Sequence, residues 1–358
     1  MNDQCAQSQI SSENLHHINT KRPLQLDECY NPYKFKSREI GYYPFVDTVT
    51  LIKLELQSII MNSENKTTII TDILPYGSRI IGLNIDNSDV DLSIMYVSTT
   101  SVKDVMKSFA NKLRQSQVFI KVFPLFYVKI PIIKCIHKDT GIYCDISFNN
   151  MSGVHNSHFI NYILSIDYRI KPVLMKLKMW AKNIGLIDAK GFSSYSIYWL
   201  GLFNMQVMGI LPPIHDLQKS VPEILVNQWN YAFSKNKQEY IINKQETLNV
   251  SDIFNVFCTY YLNFDFDKFV ISPYTGCPIL KKDFEDVKKL PKELWRYKQF
   301  YKENKECHEL LLLSTKNNKN KKYKIYIQDP FQHNVNITER VEPKIFNTFI
   351  NTCVELKS

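Results

Sequence analysis

Two aspartates on one predicted strand are the residues best suited to chemistry in this sequence. Asp89 and Asp91 alternate with the apolar Val90 and Leu92, and side chains two positions apart on a strand project from the same face. Two carboxylates on one face repel each other unless cations lie between them, and such oxygen ligands suit Mg²⁺ or Mn²⁺. The spacing therefore predicts a divalent metal site. The alternative is a solvated edge strand, because an isolated Asp-x-Asp is common.

Two further features support a metal site here. Gly77 and Ser78 lie shortly before the aspartates, ahead of a segment that can begin a helix. Its backbone N–H groups and the Ser78 hydroxyl could hold a phosphate, and a glycine allows close approach. Asp145 lies in a later apolar strand, where an unpaired buried carboxylate would be costly. It is either a third metal ligand, a turn cap or the partner of a basic residue.

The periodicity of apolar residues indicates which elements position these side chains. The sequence predicts strands near 68–74, 90–97, 118–122, 126–136, 142–148 and 323–327, and helices over 45–60, 102–113, 158–167, 172–183, 193–208 and 252–263. A hairpin turn is expected at Asp139-Thr140-Gly141. The chain is therefore divided into a flexible tail (1–22), an N-terminal helical segment (23–62), a catalytic domain (63–155) and a helical domain (156–354). We expect the N-terminal segment to pack on the helical domain.

Length and composition limit the classes of protein to consider. The chain has 358 residues, 44% of them hydrophobic and 22% charged, which argues against a mostly disordered protein. No uncharged apolar run approaches the roughly 18 residues of a membrane-spanning helix. Its net charge of +9 mildly favours polyanionic partners. The eight cysteines form no C-x-x-C pair, and the N-terminus lacks a secretory signal. We expect a cytoplasmic protein without a membrane partner, with a nuclear location as the alternative.

The order of the motifs resembles a known family. Gly-Ser, a spacer, Asp-x-Asp on a strand and a later strand aspartate are typical of the DNA polymerase β-like nucleotidyltransferases. Further motifs resemble the noncanonical poly(A) polymerases and terminal uridylyltransferases, and these are Cys144–Asn150, His155-Asn156, Lys171-Pro172, Lys178–Lys182, Phe192–Ser196 and Gln328–Phe331. The resemblance runs in order from about residue 75 to about residue 335.

This resemblance implies an α+β fold and an activity. A polymerase β-like nucleotidyltransferase palm, with a small mixed sheet and helices, would precede a mainly helical poly(A) polymerase-associated domain. The enzyme would add nucleotides to RNA 3′ ends without a template. Asp89, Asp91 and Asp145 would hold two Mg²⁺ or Mn²⁺ ions. The residues that would bind the nucleotide are Gly77, Ser78, Asn156, Lys178, Lys182, Ser194, Tyr195, Asp329, Gln332 and His333.

The triphosphate would be bound by Ser78, Ser194 and two lysines. Lys178 and Lys182 are four residues apart on a predicted helix, so both ammonium groups lie on one face and can neutralise neighbouring phosphates. For an isolated pair of lysines, a solvated helix face is the simpler explanation.

The ribose and the base would be bound by other residues. The resemblance implies that Asn156 contacts the ribose and that Tyr195 stacks on the base, although Tyr195 also fits a core aromatic beside a helix cap. A recognition loop near 329–335 would choose the nucleotide. Uridylyltransferases of the family usually carry a His-Asn pair there. In this chain the pair begins at His333, two residues earlier than usual, and Gln332 replaces a frequent acidic residue. We expect UTP to be the preferred nucleotide, with ATP as the alternative. The alternative for His333 is a loop histidine without a role in nucleotide binding.

Several functions remain open at the level of the whole chain. The leading hypothesis is an RNA uridylyltransferase, and a poly(A) polymerase is its nearest rival. The motifs from 155 to 331 argue against a nucleotidyl cyclase or oligoadenylate synthetase, and the intact aspartates argue against an inactive RNA-binding scaffold. Expected partners are an RNA 3′ end, UTP or ATP, and an RNA-binding adaptor protein. A basic segment over 281–305 with interleaved aromatic residues fits single-stranded RNA, or else an amphipathic surface whose aromatics are buried.

Overall fold

The computed structural model of the protein describes residues 47–61, 67–240, 248–304 and 324–356. The helices are α1 (Thr48–Met61), α2 (Val102–Ser116), α3 (Met151–Ile163), α4 (Ile170–Asn183), α5 (Ser194–Val207), α6 (Ile214–Gln218), α7 (Val250–Leu262), α8 (Trp295–Glu303) and α9 (Pro343–Glu355). The strands are β1 (Thr68–Tyr76), β2 (Val90–Ser98), β3 (Phe119–Leu125), β4 (Ile132–His137), β5 (Tyr143–Phe148), β6 (Leu225–Val226), β7 (Trp229–Asn230), β8 (Phe269–Ser272) and β9 (Cys277–Leu280). The tail predicted over 1–22, and the chain up to residue 46, lie outside the described residues.

A five-stranded mixed sheet positions the predicted metal ligands. Its strand order is β1-β2-β5-β4-β3, in which β2 and β5 run parallel and the other neighbouring strands run antiparallel. In β5, Cys144 and Ile146 are buried while Asp145 between them is half-buried. Because side chains alternate along a strand, the sheet has a core face and an opposite face, and Asp145 lies on the latter. We call this opposite face the catalytic face.

Helices α1 and α2 cover the core face. Ile52 and Leu56 of α1 belong to the same buried cluster as Ile146 of β5, and the Glu55 carboxylate pairs with the buried imidazole of His137 on β4. The expectation that the N-terminal segment packs on the helical domain is therefore wrong for α1. The spacing of apolar residues on α1 would suit either hydrophobic core. In the structure, α1 packs on the core face of the sheet and buries it.

The helices from α3 onward surround a second, larger core. Residues of α4, α5, α7 and α9 contribute to it. Ile81 and Leu83, from the turn that follows β1, are buried in this second core and not under the sheet. The turn that carries Gly77 and Ser78 is thereby fixed between the two cores. No helix in the described ranges is both long enough and apolar enough to cross a membrane.

Two predicted strands are shorter than expected. The strand predicted over 126–136 begins only at Ile132, because residues 126–131 form the connection that lets β4 turn back along β3. The last predicted strand is reduced, within the described residues, to single bridges at Ile327 and Gln328. A mixed sheet followed by a mainly helical part is nevertheless the α+β architecture that the sequence predicted.

Candidate active site

Three carboxylates from two neighbouring strands meet on the catalytic face. Asp91 of β2 lies beside Asp145 of β5 in the parallel register, and Asp89 precedes β2 by one residue. One carboxylate oxygen from each aspartate lies within 4.8 Å of those from the other two. The register of β2 and β5 therefore brings together all three residues that the sequence nominated as metal ligands.

The electrostatics of this cluster favour a bound cation. Burial raises the pKa of Asp91 to about 8, and the charges of Asp89 and Asp145 add to the shift. Burial also raises the pKa of Asp145, although the ammonium group of Lys134 opposes this change. A cation between the carboxylates relieves both the desolvation and the mutual repulsion. Three hard oxygen donors at this spacing fit divalent ions such as Mg²⁺ or Mn²⁺, and Asp89, Asp91 and Asp145 are the residues that could hold them.

Lys134 is a site residue that the sequence interpretation missed. Its Nζ donates to both carboxylate oxygens of Asp145, at 2.8 and 2.6 Å. The two residues are direct cross-strand partners in the hairpin of β4 and β5. The predicted turn alone did not identify this pair, because counting outward from Asp139-Thr140-Gly141 places Cys135 opposite Asp145, one residue away from the observed register. Asp145 thus pairs with a basic residue, as one of the sequence-based alternatives predicted, and also lies within the cluster of three carboxylates.

The turn after β1 lies directly over the aspartates. Gly77 has a φ of +77°, and a Cβ atom on it would lie 1.9 Å from Oδ2 of Asp91, so only glycine fits there. The helix start expected after Ser78 is not formed, because 77–82 fold as turns closed onto the Gly77 carbonyl. The Gly77 N–H donates to Ser157 Oγ at 2.9 Å and is not free for a phosphate. Ser78 is half-buried beside it.

The two predicted lysines of α4 differ in burial. Lys178 is buried, and its Nζ donates to the Leu83 carbonyl at 2.7 Å. Burial lowers the pKa of Lys178 to about 8, while the carboxylate of Asp89 opposes the change and the charge of Lys182 adds to it. Lys182 itself is exposed. Helix α4 therefore carries one ammonium close to the aspartates and a second nearer to solvent.

A second group of predicted residues forms around Asp329. This carboxylate is buried and accepts hydrogen bonds from the backbone N–H groups of Phe331 and Gln332, at 3.0 and 2.8 Å. The Tyr195 hydroxyl donates to its other oxygen at 3.2 Å. Burial raises the pKa of Asp329, and these hydrogen bonds oppose the rise. Asp329 therefore holds the start of the recognition loop against the first turn of α5, which Ser194 begins.

His333 and Asn156 lie in different surroundings. The His333 ring is buried, with ring centroids 4.0 Å from Tyr274 and 5.2 Å from Trp229. Burial lowers the pKa of His333 to about 3, so the ring is neutral at physiological pH. The half-buried Asn156 on α3 has a side-chain oxygen without a hydrogen-bond partner among the described residues. No contact joins His333 to the three aspartates in the described ranges.

The basic segment over 281–305 supports the simpler of its two interpretations. Phe284, Tyr297 and Phe300 are buried in the second core, whereas Trp295 is half exposed with Arg296 over its ring. Most of the interleaved aromatics therefore stabilise the helical part, as expected for an amphipathic surface, and are not available for stacking on RNA bases.

Two family models match the chain. A model described as "Poly(A) RNA polymerase, mitochondrial-like, central palm domain" matches residues 46–165, and one described as "Cid1 family poly A polymerase" matches residues 249–335. Together they cover more than half of the chain. The first matches the part that contains the sheet and the aspartates, and the second ends in the recognition loop.

Individual relatives and solved structures agree with these matches. The chain is 26% identical over 232 residues to protein HESO1 of Arabidopsis thaliana, covering 57% of this chain and 45% of the relative. It is 29% identical over 175 residues to human terminal uridylyltransferase 7, covering 46% and 12%. The chain thus spans less than half the length of these curated relatives. A solved structure of Cid1 in complex with the UTP analog UMPNPP superposes with a TM-score of 0.63 at 20% identity, covering 86% of this chain and 84% of that one.

Proposed function

Since the chain belongs to the family of the noncanonical poly(A) polymerases and terminal uridylyltransferases, we propose that it adds UMP from UTP to RNA 3′ ends without a template. The observation that carries this proposal is the convergence of Asp89, Asp91 and Asp145, whose ligand atoms lie within 4.8 Å of one another. The substrates are an RNA 3′ end and a nucleoside triphosphate, and an RNA-binding adaptor would select the RNA.

The reaction is an in-line displacement at the α-phosphate. The 3′-oxygen of the RNA forms a bond to the α-phosphorus while the bond from that phosphorus to its bridging oxygen breaks, and pyrophosphate leaves. Divalent ions, when bound, lower the pKa of the attacking hydroxyl and stabilise the leaving pyrophosphate. Asp89, Asp91 and Asp145 hold these ions, and the hydroxyl proton passes to water.

The triphosphate is bound on the β1 and α4 side of the aspartates. Ser78 supplies a hydroxyl from the turn that Gly77 packs against Asp91. Lys178 supplies a positive charge close to Asp89, because a pKa of about 8 leaves most of it protonated at pH 7. Lys182 lies one turn further along the same face of α4. Together with Ser194 at the start of α5, it completes the group of residues that bind the triphosphate.

The base and the ribose are bound by Tyr195, by Asn156 and by the loop that begins at Asp329. The Tyr195 ring stacks on the base, which contributes roughly 1–3 kcal/mol but does not select among bases. The unpartnered oxygen of Asn156 accepts a hydrogen bond from a ribose hydroxyl. Selection of UTP falls to the loop from Asp329 through Gln332 to His333, whose neutral imidazole can donate a hydrogen bond to the base.

ATP is the alternative nucleotide, and one observation favours it. His333 is packed between Tyr274 and Trp229, and a ring held in the core contributes less to base selection. In that case the protein is a poly(A) polymerase with the same catalytic aspartates.

The test is an extension assay with the purified full chain and a 5′-labelled single-stranded RNA. Each of the four nucleoside triphosphates is supplied separately, with Mg²⁺ and then with Mn²⁺. We expect extension with UTP to exceed that with ATP. Preferential extension with ATP would replace the uridylyltransferase by the poly(A) polymerase. No extension with any nucleotide under either ion, together with retained RNA binding, would support the inactive scaffold.

A further inference from the structure

The catalytic aspartates belong to a row of side chains that crosses the sheet. Asp91 pairs with Asp145, Asp145 with Lys134, and Lys134 with Phe123 of the edge strand β3. Directly opposed residues on neighbouring strands point to the same face, so Phe123 lies on the catalytic face. Neighbouring strands are about 4.8 Å apart, which places Phe123 about 10 Å from Asp145 across the sheet.

A second row continues the same surface. Tyr143 lies two positions before Asp145 and therefore on the same face, and it pairs with Ile136, which pairs with Ile120. A bulge in β3, at Lys121 with a φ of +53°, keeps both Ile120 and Phe123 on this face.

Three apolar side chains of these rows are exposed. Phe123 is 62% exposed, Tyr143 60% and Ile120 40%. We call Ile120, Phe123 and Tyr143 the aromatic shelf. On the core face of the same strands, Ile133 and Cys144 are fully or almost fully buried. Within the part of the chain that the structure describes, the shelf is thus an exposed apolar surface on the face that carries the aspartates, with Ile136 buried between Ile120 and Tyr143.

The direction of the reaction indicates what the shelf faces. In an in-line displacement the attacking and leaving oxygens lie on opposite sides of the α-phosphate. The proposed triphosphate ligands Ser78 and Lys178 lie on the β1 and α4 side of the aspartates. The attacking RNA strand must therefore approach from the other side, where Lys134 and the shelf lie.

We propose that the aromatic shelf binds the last bases of the RNA strand, with Lys134 contacting a backbone phosphate next to them. This rests on the proposed function, because it assigns the RNA to the side opposite the triphosphate. Exposed aromatic rings beside a cation are the combination by which proteins hold single-stranded RNA without sequence preference. Divalent ions held by Asp145 would compete with Lys134 for its carboxylate oxygens and would leave the Lys134 ammonium available to a phosphate.

The test compares shelf variants with a matched control. The full chain is titrated into a 5′-fluorescein-labelled 10-nucleotide single-stranded RNA, and binding is read by fluorescence anisotropy with Mg²⁺ and without nucleotide. We expect Phe123→Ala and Tyr143→Ala each to raise Kd at least about fivefold, whereas Phe123→Trp retains binding. Tyr168→Ala, which removes an 80% exposed tyrosine elsewhere, should leave Kd unchanged.

Kinetics and a modified RNA identify the contact. In extension assays the shelf variants should raise KM for RNA by the same factor, with KM for UTP and kcat within about twofold of wild type. With an RNA that lacks its two 3′-terminal bases but keeps the backbone, wild type and Phe123→Ala should bind equally. If this RNA still binds Phe123→Ala more weakly than wild type, the contact to the terminal bases does not exist.

The outcomes of these experiments distinguish a failure of the RNA-binding shelf from a failure of the proposed enzymatic function. A wild-type chain that extends no RNA contradicts the proposed function, whereas the anisotropy measurement reports on the shelf without catalysis. Shelf variants that bind and extend RNA like the wild type overturn the shelf as an RNA site and leave it as a surface for a protein partner. Because the three side chains are largely exposed, a thermal melt of each variant should match the wild type.

Discussion

Two regions of this molecule gather the polar side chains that we propose bind the nucleotide and its metal ions, and they are built in different ways. The aspartate cluster depends on the register of β2 and β5, in which Asp91 and Asp145 are direct partners. The recognition loop depends on one buried carboxylate, Asp329, which gathers two backbone N–H groups and the Tyr195 hydroxyl. One region is therefore fixed by regular backbone hydrogen bonds, and the other by side-chain packing.

In the proposed function, this difference separates catalysis from the selection of the nucleotide. Changing a side chain of the loop alters the base-binding surroundings while the sheet keeps its register. Changing an aspartate leaves the loop intact but removes a proposed metal ligand. Four predictions test this separation, and their expected effects fall from about a thousandfold in rate to about 1 kcal/mol in stability.

The largest effect is expected at the aspartates. Asp145→Ala, and likewise Asp89→Ala, should lower kcat by at least about 1,000-fold, or about 4 kcal/mol, because one ligand of the cluster is lost. Extension of labelled RNA with UTP measures it. The control Asp139→Ala changes an exposed aspartate in the turn between β4 and β5 and should keep wild-type activity. Wild-type turnover in Asp145→Ala would exclude the two-metal assignment.

The next largest effect is expected at the turn above the aspartates. An alanine Cβ at Gly77 would lie 1.9 Å from the Asp91 carboxylate, so Gly77→Ala should lower kcat about 100-fold, or about 2.7 kcal/mol. Gly141→Ala is a matched control, since Gly141 has a similar φ of +68° with nothing within 4 Å. It carries only the backbone strain of about 1–2 kcal/mol. Equal activity of the two variants would show that the contact with Asp91 is unimportant.

The two regions also differ in what the sequence revealed. The alternation around Asp89 and Asp91 predicted that these two share a face, since strand periodicity is a local property, whereas their meeting with Asp145 was expected from the family resemblance. The partner of Asp145, Lys134, depends on the exact register of the hairpin, which a count outward from the predicted turn misses by one residue. The packing of His333 against rings at 229 and 274 depends on residues far away in the chain, which no local pattern contains.

The errors in the predicted elements have two different origins. Helix α3 begins at Met151 and not at 158, because the Asn150 side chain caps it by accepting the Gly153 N–H at 3.1 Å. That cap was a local signal and could have been used. The partner of α1 could not be predicted, because an apolar stripe does not specify which of two cores it enters.

A smaller effect is expected in the recognition loop. Asp329→Ala leaves the Phe331 and Gln332 N–H groups without their acceptor, so it should raise KM for UTP about tenfold and lower stability by about 1–3 kcal/mol. Extension kinetics and a thermal melt measure the two effects. Tyr195→Phe removes only one of the three hydrogen bonds and should shift stability less. A kcat loss as large as that of Asp145→Ala would contradict the separation of the two regions.

The smallest effect concerns the stability cost of the aspartate cluster. The pKa of Asp91 is about 8 in the folded protein and 3.8 in the unfolded reference, so the folded state holds a proton that the unfolded state has released. Between pH 4 and pH 8 stability therefore falls as pH rises. In EDTA, Asp91→Asn should increase the free energy of unfolding by about 1 kcal/mol or more at pH 8, with the gain vanishing near pH 4. Chemical denaturation across this pH range measures the difference. Millimolar Mg²⁺ should make the wild type the more stable protein, because only the wild type retains all three carboxylates of the cluster. If the stability gained by Asp91→Asn did not depend on pH, its cause would be packing and not the ionisation of Asp91.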